Sequence, residues 1–206
     1  MPQPTVLKTA LSGAGLPPGG EEKIAAYLEL LQKWNRTYNL TAVRDAQEMI
    51  PRHILDSLAI ADYVEGNNVA DLGTGAGLPG IPLAIRYPQR RFVLLDSNRK
   101  KTLFLNNVVR ELSLPNVEIV RSRLEEYHPA HSFDTLTARA LASAGDIIRR
   151  AGHLCKPGGC LLLMKSWQLE QELVQLPPDY SVENIVDLHI PGLNALRRLA
   201  IIRKGS

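Results

Sequence analysis

Seven residues, Asp71 to Gly77, carry most of the chemistry that can be read from this chain. They spell D-x-G-x-G-x-G inside Val69 to Gly80, VADLGTGAGLPG. The apolar run Val69 to Leu72 is expected to be a buried strand, and Ile81 to Tyr87 returns to a helix-compatible pattern. A glycine-rich turn between a strand and a helix lies at the carboxyl edge of an open α/β sheet, where ligands bind. Glycines there adopt positive φ and let a ligand approach without a Cβ in the way. The spacing weighs against a dinucleotide. Gly73, Thr74 and Gly75 fit the start of G-x-G-x-x-G, but position 78 is leucine. Downstream, Arg91 to Asp96 reads as a second strand ending in an acid. Asp96 lies about 20 residues beyond the glycines, where a carboxylate accepts both hydroxyls of a ribose. Asp96 and Ser97 are also candidate N-caps for the helix that follows, and the two roles can coexist.

D-x-G-x-G-x-G resembles motif I of the class I S-adenosylmethionine-dependent methyltransferases. The resemblance makes physical sense: that donor carries a zwitterionic amino acid and a sulfonium, but no phosphate. On this reading Asp71 orients the loop and offsets positive charge on the donor. An ordinary glycine-bearing loop is the plainer alternative, and an NAD oxidoreductase is a distant one.

The elements that must position these residues follow from hydrophobic periodicity. Thr5 to Leu11 reads as a short helix, broken by Gly13 to Gly20. Glu21 to Trp34 is a strong helix with apolar positions Ile24, Tyr27, Leu28, Leu31 and Trp34, and its acids suit the positive end of the helix dipole. Asn35 to Thr41 holds turn and cap residues and is expected to be a link. Ala46 to Val64 reads as one further helix, ended by Gly66, Asn67 and Asn68. Beyond it the pattern alternates strand and helix, as in a doubly wound sheet. Later strands are expected at Val117 to Val120, Phe133 to Ala138 and Gly159 to Lys165, followed by helices near Leu124 to Tyr127, Ser143 to Leu154 and Trp167 to Leu176. Tyr180 to Leu188 and Arg197 to Arg203 fit a closing antiparallel pair. The expected fold is therefore α/β and Rossmann-like, a seven-stranded, mostly parallel sheet with an N-terminal helical extension. It forms a single domain, 1–206, with the extension at 1–66 and the ligand-binding core at 67–206.

Composition sets outer limits. The 206 residues are 45% hydrophobic, enough for one good core. No apolar run approaches the roughly 20 residues of a membrane span, and the amino terminus lacks the pattern of a secretory signal. Cys155 and Cys160, the two cysteines, flank a Lys-Pro-Gly-Gly turn and are expected to be free and reduced, which fits a cytoplasmic protein. The net charge of +3 permits nucleic-acid binding without demonstrating it.

A more specific resemblance resides in Trp34 to Thr41 (W-N-x-x-Y-N-L-T), Arg52 to Ser57 (R-H-I-L-D-S) and Gly75 to Pro82 (G-x-G-L-P-G-I-P). Together they resemble the bacterial small-subunit ribosomal RNA guanine-N7 methyltransferases, the RsmG or GidB family, over about Leu28 to Arg203. The resemblance implies methyl transfer from S-adenosylmethionine to a guanine N7 in the 530 loop of 16S ribosomal RNA, free or within the small subunit. A monomer without an obligate protein partner is expected. Among donor-site residues it implies Gly73 and Leu78 in the loop, Leu124 and Glu125 against the adenine, and Arg139 beside both donor and reacting centre. Taken singly, Glu125 reads better as a solvated helix residue; for Arg139 the alternative is a surface arginine paired with an acid, and its strand-end position over the glycine loop favours the site. Ala138 to Ala140 stand where exocyclic-amine methyltransferases carry an Asn-Pro-Pro-Tyr type motif, which fits ring-nitrogen chemistry. His53 and Asp56, at i and i+3, share a helix face but lack the further ligands of a metal site. Candidate RNA contacts are Arg52, His53, Lys100, Arg123, Lys165 and Arg197, with Lys101 and other basic residues behind them. For His53 a packing role is an equal alternative. A donor-binding enzyme acting on a small molecule and a noncatalytic RNA-binding module remain the other function classes.

Overall fold

The computed structural model describes residues 4–165, 169–174 and 176–205. Its centre is a seven-stranded sheet of order β3-β2-β1-β4-β5-β7-β6. The strands are β1 (Asn68–Leu72), β2 (Arg91–Leu95), β3 (Val117–Val120), β4 (Phe133–Arg139), β5 (Cys155–Lys165), β6 (Tyr180–Leu188) and β7 (Arg197–Lys204). Strands β1 to β5 run parallel, while β7 is antiparallel to both β5 and β6. The expected closing pair is present, with β7 inserted between β5 and β6. Strand order reverses between β1 and β4, and in open sheets the crevice beyond such a switch point is where ligands bind.

Helices α5 (Gly80–Arg86), α6 (Arg99–Glu111), α7 (Ala144–Ala151) and α8 (Leu169–Leu173) accompany the sheet. The expected last helix began at Trp167. Trp167, Gln168 and Gln175 lie outside the described residues. Side chains alternate between two cores, as a period of two requires. In β2, Phe92 and Leu94 face one core and Val93 and Leu95 the other. The N-terminal helices α1 (Pro4–Leu11) and α2 (Gly20–Tyr38) pack into the first core beside α5 and α6. Tyr27, Leu28 and Leu31 of α2 are essentially inaccessible, each contributing about 1.5–3 kcal/mol by burial.

Three expectations are corrected. Asn35 does not end α2, which runs to Tyr38 and closes with Asn39 in a left-handed conformation. The Asn35 side chain is buried; it accepts from the Thr41 amide (2.9 Å) and donates to the Val43 carbonyl (3.2 Å), folding the following loop against the helix. Ala46 to Val64 is not one regular helix. It is α3 (Ala46–Met49), a π-helical stretch (Ile50–Leu55), α4 (Asp56–Leu58) and a 3₁₀ turn (Ala61–Tyr63). Pro51 carries no amide hydrogen and crowds the preceding turn, and the Asp56 amide bonds back to the Pro51 carbonyl five residues away. Finally, the Lys-Pro-Gly-Gly turn is a bulge inside β5: pairing with β4 jumps from Phe133↔Cys155 to Thr135↔Cys160.

Candidate active site

Asp71, at the end of β1, is fully buried. Its Oδ2 accepts from the Thr74 hydroxyl and the Gly80 amide (2.9 Å), and its Oδ1 from the Thr137 hydroxyl (2.9 Å). One carboxylate thus ties the loop start, the α5 amino end and the neighbouring strand together. Burial pushes it up to about 6, against the pull of these hydrogen bonds and of Arg139. With these partners Asp71 shapes the loop from beneath. The loop is also pinned by Thr74 N–H to the Leu95 carbonyl (2.9 Å) and by the Tyr27 hydroxyl, which donates to the Ala76 carbonyl (2.8 Å). Tyr27, read from sequence only as an apolar helix position, therefore reaches the glycine loop. Gly73, Gly75 and Gly77 all have positive φ. A Cβ on Gly73 would sit 2.5 Å from Leu141, and one on Gly77 2.6 Å from Ile81. One on Gly75 would meet nothing closer than 3.9 Å, so this is the open glycine.

Beyond the loop lies a cavity of about 370 Å³, walled by Gly73, Asp96, Asn98, Lys101, Arg123, Leu124, Ala140, Leu141 and Arg150 among others. That volume falls within the ~300–1,000 Å³ typical of small-ligand sites. Asp96 Oδ2 accepts from the Gly75 amide (2.9 Å) and Oδ1 from the Asn98 amide (2.8 Å), with Lys101 Nζ 3.5 Å away. Each oxygen keeps acceptor capacity for one member of a vicinal diol. Asn98, and neither Asp96 nor Ser97, is the N-cap of α6, accepting from the Lys100 and Lys101 amides.

Of the residues singled out in the sequence, Gly73, Asp96, Lys101, Arg123 and Leu124 come together on this wall, while Thr74, Gly77 and Leu78 belong to the same loop without lining it, Thr74 and Leu78 buried. The exposed Glu125 is off the wall, paired instead with Arg150 (3.1 Å). A hydrogen bond from its own backbone, then Arg150 and Arg123, hold its carboxyl below the ordinary range. Asn98 and Arg150 were missed. Asn98 was legible as a cap residue before a helix, but nothing local announced Arg150.

A second cavity, about 210 Å³, shares Ala140 with the first and is lined by Arg52, Asp56, Arg139, Met164, Lys165 and Arg197. Ala140 has φ +49, an uncommon conformation for a side-chain-bearing residue, at the wall between the two. Arg139, expected against the donor, lines this second cavity. It donates to Asp56 Oδ2 (2.7 Å) and the Arg52 carbonyl (3.2 Å), and its other terminal nitrogen faces His53 Nδ1 at 3.4 Å. Arg197 donates to Asp56 Oδ1 (3.1 Å). Burial pushes Asp56 upward, and the Arg139 and Arg197 guanidiniums pull against it.

His53 is buried, held between Thr41 of the loop after α2 and Arg139 at the end of β4. Nδ1 accepts from Arg139, which assigns the hydrogen to Nε2, facing the Thr41 hydroxyl at 2.9 Å. Desolvation lowers its pKa to about 4; a hydrogen bond to the Arg52 backbone pulls the other way, and the Arg139 and Arg52 charges add to the lowering. Lys165 is tied to the Ala142 carbonyl (2.6 Å) and to Glu172 (3.1 Å). Arg52 and Lys100 are exposed, Arg52 pairing with Glu48 (3.4 Å). Among the described residues no group of His, Cys, Asp or Glu could hold a metal ion, and no helix is long and apolar enough to cross a membrane.

A parallel sheet closed by an antiparallel pair, a glycine loop after β1 and a carboxylate after β2 define a class I S-adenosylmethionine-dependent methyltransferase fold. Solved structures share it. The O-methyltransferase TomG from Streptomyces achromogenes matches with a TM-score of 0.60 and 15% identity, covering 87% of this chain and 90% of that one. The tRNA (m1A58) methyltransferase TrmI from Aquifex aeolicus matches with a TM-score of 0.61 and 13% identity, covering 74% and 69%. The GidB family, rRNA small subunit methyltransferase G, matches residues 20–201. Ribosomal RNA small subunit methyltransferase G of Nitrosococcus oceani is 50% identical over 193 residues, 94% of this chain and 90% of the relative. Its counterpart in Hydrogenovibrio crunogenus is 48% identical over 200 residues, 96% and 93%. The chain belongs to the rRNA small subunit methyltransferase G family.

Proposed function

We propose that this protein transfers a methyl group from S-adenosylmethionine to the N7 of a guanine in the 530 loop of 16S ribosomal RNA. Family membership supports the methyl donor and the small-subunit RNA. The observation that carries the site reading is the pair of cavities meeting at Ala140, over the sheet's switch point. One has a carboxylate suited to a ribose; the other is lined by four cationic side chains and Asp56, suited to a polyanion.

When bound, the donor would supply an electrophilic methyl on a sulfonium: the guanine N7 lone pair would form the new N–C bond in line as the S–C bond breaks, its electron pair leaving with the thioether. N7 carries no proton, so no general base is required, and the protein's task is alignment, a contribution of roughly 7–11 kcal/mol at best. Asp96 would hold the donor ribose and Leu124 an apolar face of the adenine. Gly73 and Gly75 let the backbone approach the donor. Arg139 and Lys165 would orient the acceptor, and Asp56 is the carboxylate lining the cavity in which positive charge develops on the base. The acceptor guanine must be splayed from its neighbours, which is easiest in a loop. Arg52, Lys100, Arg123 and Arg197 would position the RNA. The shared core of α1, α2 and the sheet supports one working domain, 1–206, and we place it in the cytoplasm as a monomer.

Mapping N7-methylguanine in 16S ribosomal RNA from cells with and without this protein tests the proposal. Loss at one 530-loop guanine is expected. Unchanged RNA together with a missing methylated metabolite would show a small-molecule enzyme instead.

A further inference from the structure

The last turn of α2 ends in an aromatic side chain that is partly exposed to solvent. Tyr38 is 41% exposed, yet its ring is held in place: Trp34 packs on it at 5.4 Å between centroids and on the fully buried Phe104 at 5.7 Å. Phe104 in turn lies 6.4 Å from Tyr27, whose hydroxyl is bonded to the glycine loop. An outward aromatic is thus anchored through three rings to the donor loop. Lys100 Nζ lies 5.9 Å from the Tyr38 ring centroid, and its neighbour Lys101 lines the donor cavity. Leu103, one turn further along α6, is 51% exposed. At the carboxyl end of a helix the dipole repels phosphate, but Arg44 donates to the Asn39 side chain there (2.7 Å) and reverses the local sign.

We propose that Tyr38, with Lys100 near its ring and Arg44 bonded to the adjoining Asn39, is a stacking platform for an unpaired RNA base near the acceptor guanine. An exposed aromatic flanked by cations is the chemistry with which single-stranded nucleic acid is held: the ring takes the base face and the cations take the adjoining phosphates. Because Trp34 and Phe104 immobilise the ring, little side-chain entropy is lost on stacking. The inference rests on the RNA methyltransferase reading and assigns to it a surface outside both cavities.

The test is methyl transfer from labelled S-adenosylmethionine to small ribosomal subunits lacking the modification, alongside anisotropy titration of a labelled RNA loop. Tyr38→Ala is expected to raise KM for RNA roughly tenfold, within the range for a lost base stack, with donor affinity and unfolding midpoint little changed. Tyr38→Phe, which keeps the ring and loses the hydroxyl, should restore wild-type KM. Lys100→Ala, a surface change that leaves the aromatic ladder intact, should flatten the salt dependence of RNA affinity by about one phosphate. Wild-type KM and RNA affinity in both Tyr38→Ala and Lys100→Ala would overturn the platform and leave the patch to a protein partner. So would a defect that Tyr38→Phe fails to restore. Absence of transfer by the wild type would instead refute the methyltransferase reading, and the titrations would still judge the platform.

Discussion

Acidification should unlock the helical segment from the site through His53. The ring is buried, accepts from Arg139 at Nδ1 and donates to Thr41 at Nε2. Protonation puts a hydrogen on Nδ1, so that donor faces donor and a positive charge faces Arg139, with Arg52 also nearby. The folded pKa is about 4, against about 6.5 in the unfolded chain. Between those values the unfolded state binds more protons, so this contribution is full above pH 6.5 and is lost as the pH falls to about 4. At roughly 1.4 kcal/mol per pH unit the loss is about 3 kcal/mol. Asp71 acts in the opposite sense. Its folded pKa, about 6, lies above the unfolded 3.8, so its stabilisation is greatest at low pH and is lost as the pH rises through that interval. The wild-type profile is therefore expected to be flatter than either group alone would make it, and the variant isolates the histidine. His53→Gln keeps a donor for Thr41 and an acceptor for Arg139 but does not titrate. Urea unfolding from pH 4 to 7 should show wild type losing about 3 kcal/mol relative to His53→Gln as the pH falls. A difference that stays constant across this range, or a His53 resonance titrating near 6.5, would refute the reasoning.

Gly75→Val should fold, because its Cβ has open space, at a cost of about 1–2 kcal/mol for a left-handed β-branched residue, and should lose donor binding in calorimetry. Retained donor affinity would remove Gly75 from the site. Tyr27→Phe leaves the Ala76 carbonyl without its partner and should lower stability by about 1–2 kcal/mol while weakening donor affinity. An unchanged melt and isotherm would show the bond to be idle. Ala140→Gly relieves a left-handed alanine and should raise unfolding stability by about 1 kcal/mol, read in the same urea series. A lower midpoint would mean that the wall needs its methyl group.

The strands, their order along the chain and the glycine loop were legible in the residues because each depends on local periodicity. Alternating apolar positions specify a buried strand, and a glycine series after one specifies a turn that a ligand can approach. Asp96 was legible for the same reason: its place at the end of the next strand follows from spacing. Asn35 and Pro51 were misread. Asn35 looks like a helix stop until its amide is seen holding Thr41 and Val43, and Pro51 permits a helical path only because the turn widens to π. The partners of the charged groups were not legible at all. Glu125 turns to Arg150, 25 residues on, and Arg139 reaches 83 residues back to Asp56, which Arg197 approaches from β7. Local sequence determines which way the backbone runs and which face is apolar. Which carboxylate a guanidinium finds is decided only when the sheet and the π-helical segment have packed, because ion pairs form between groups brought within a few ångströms, whatever their separation along the chain.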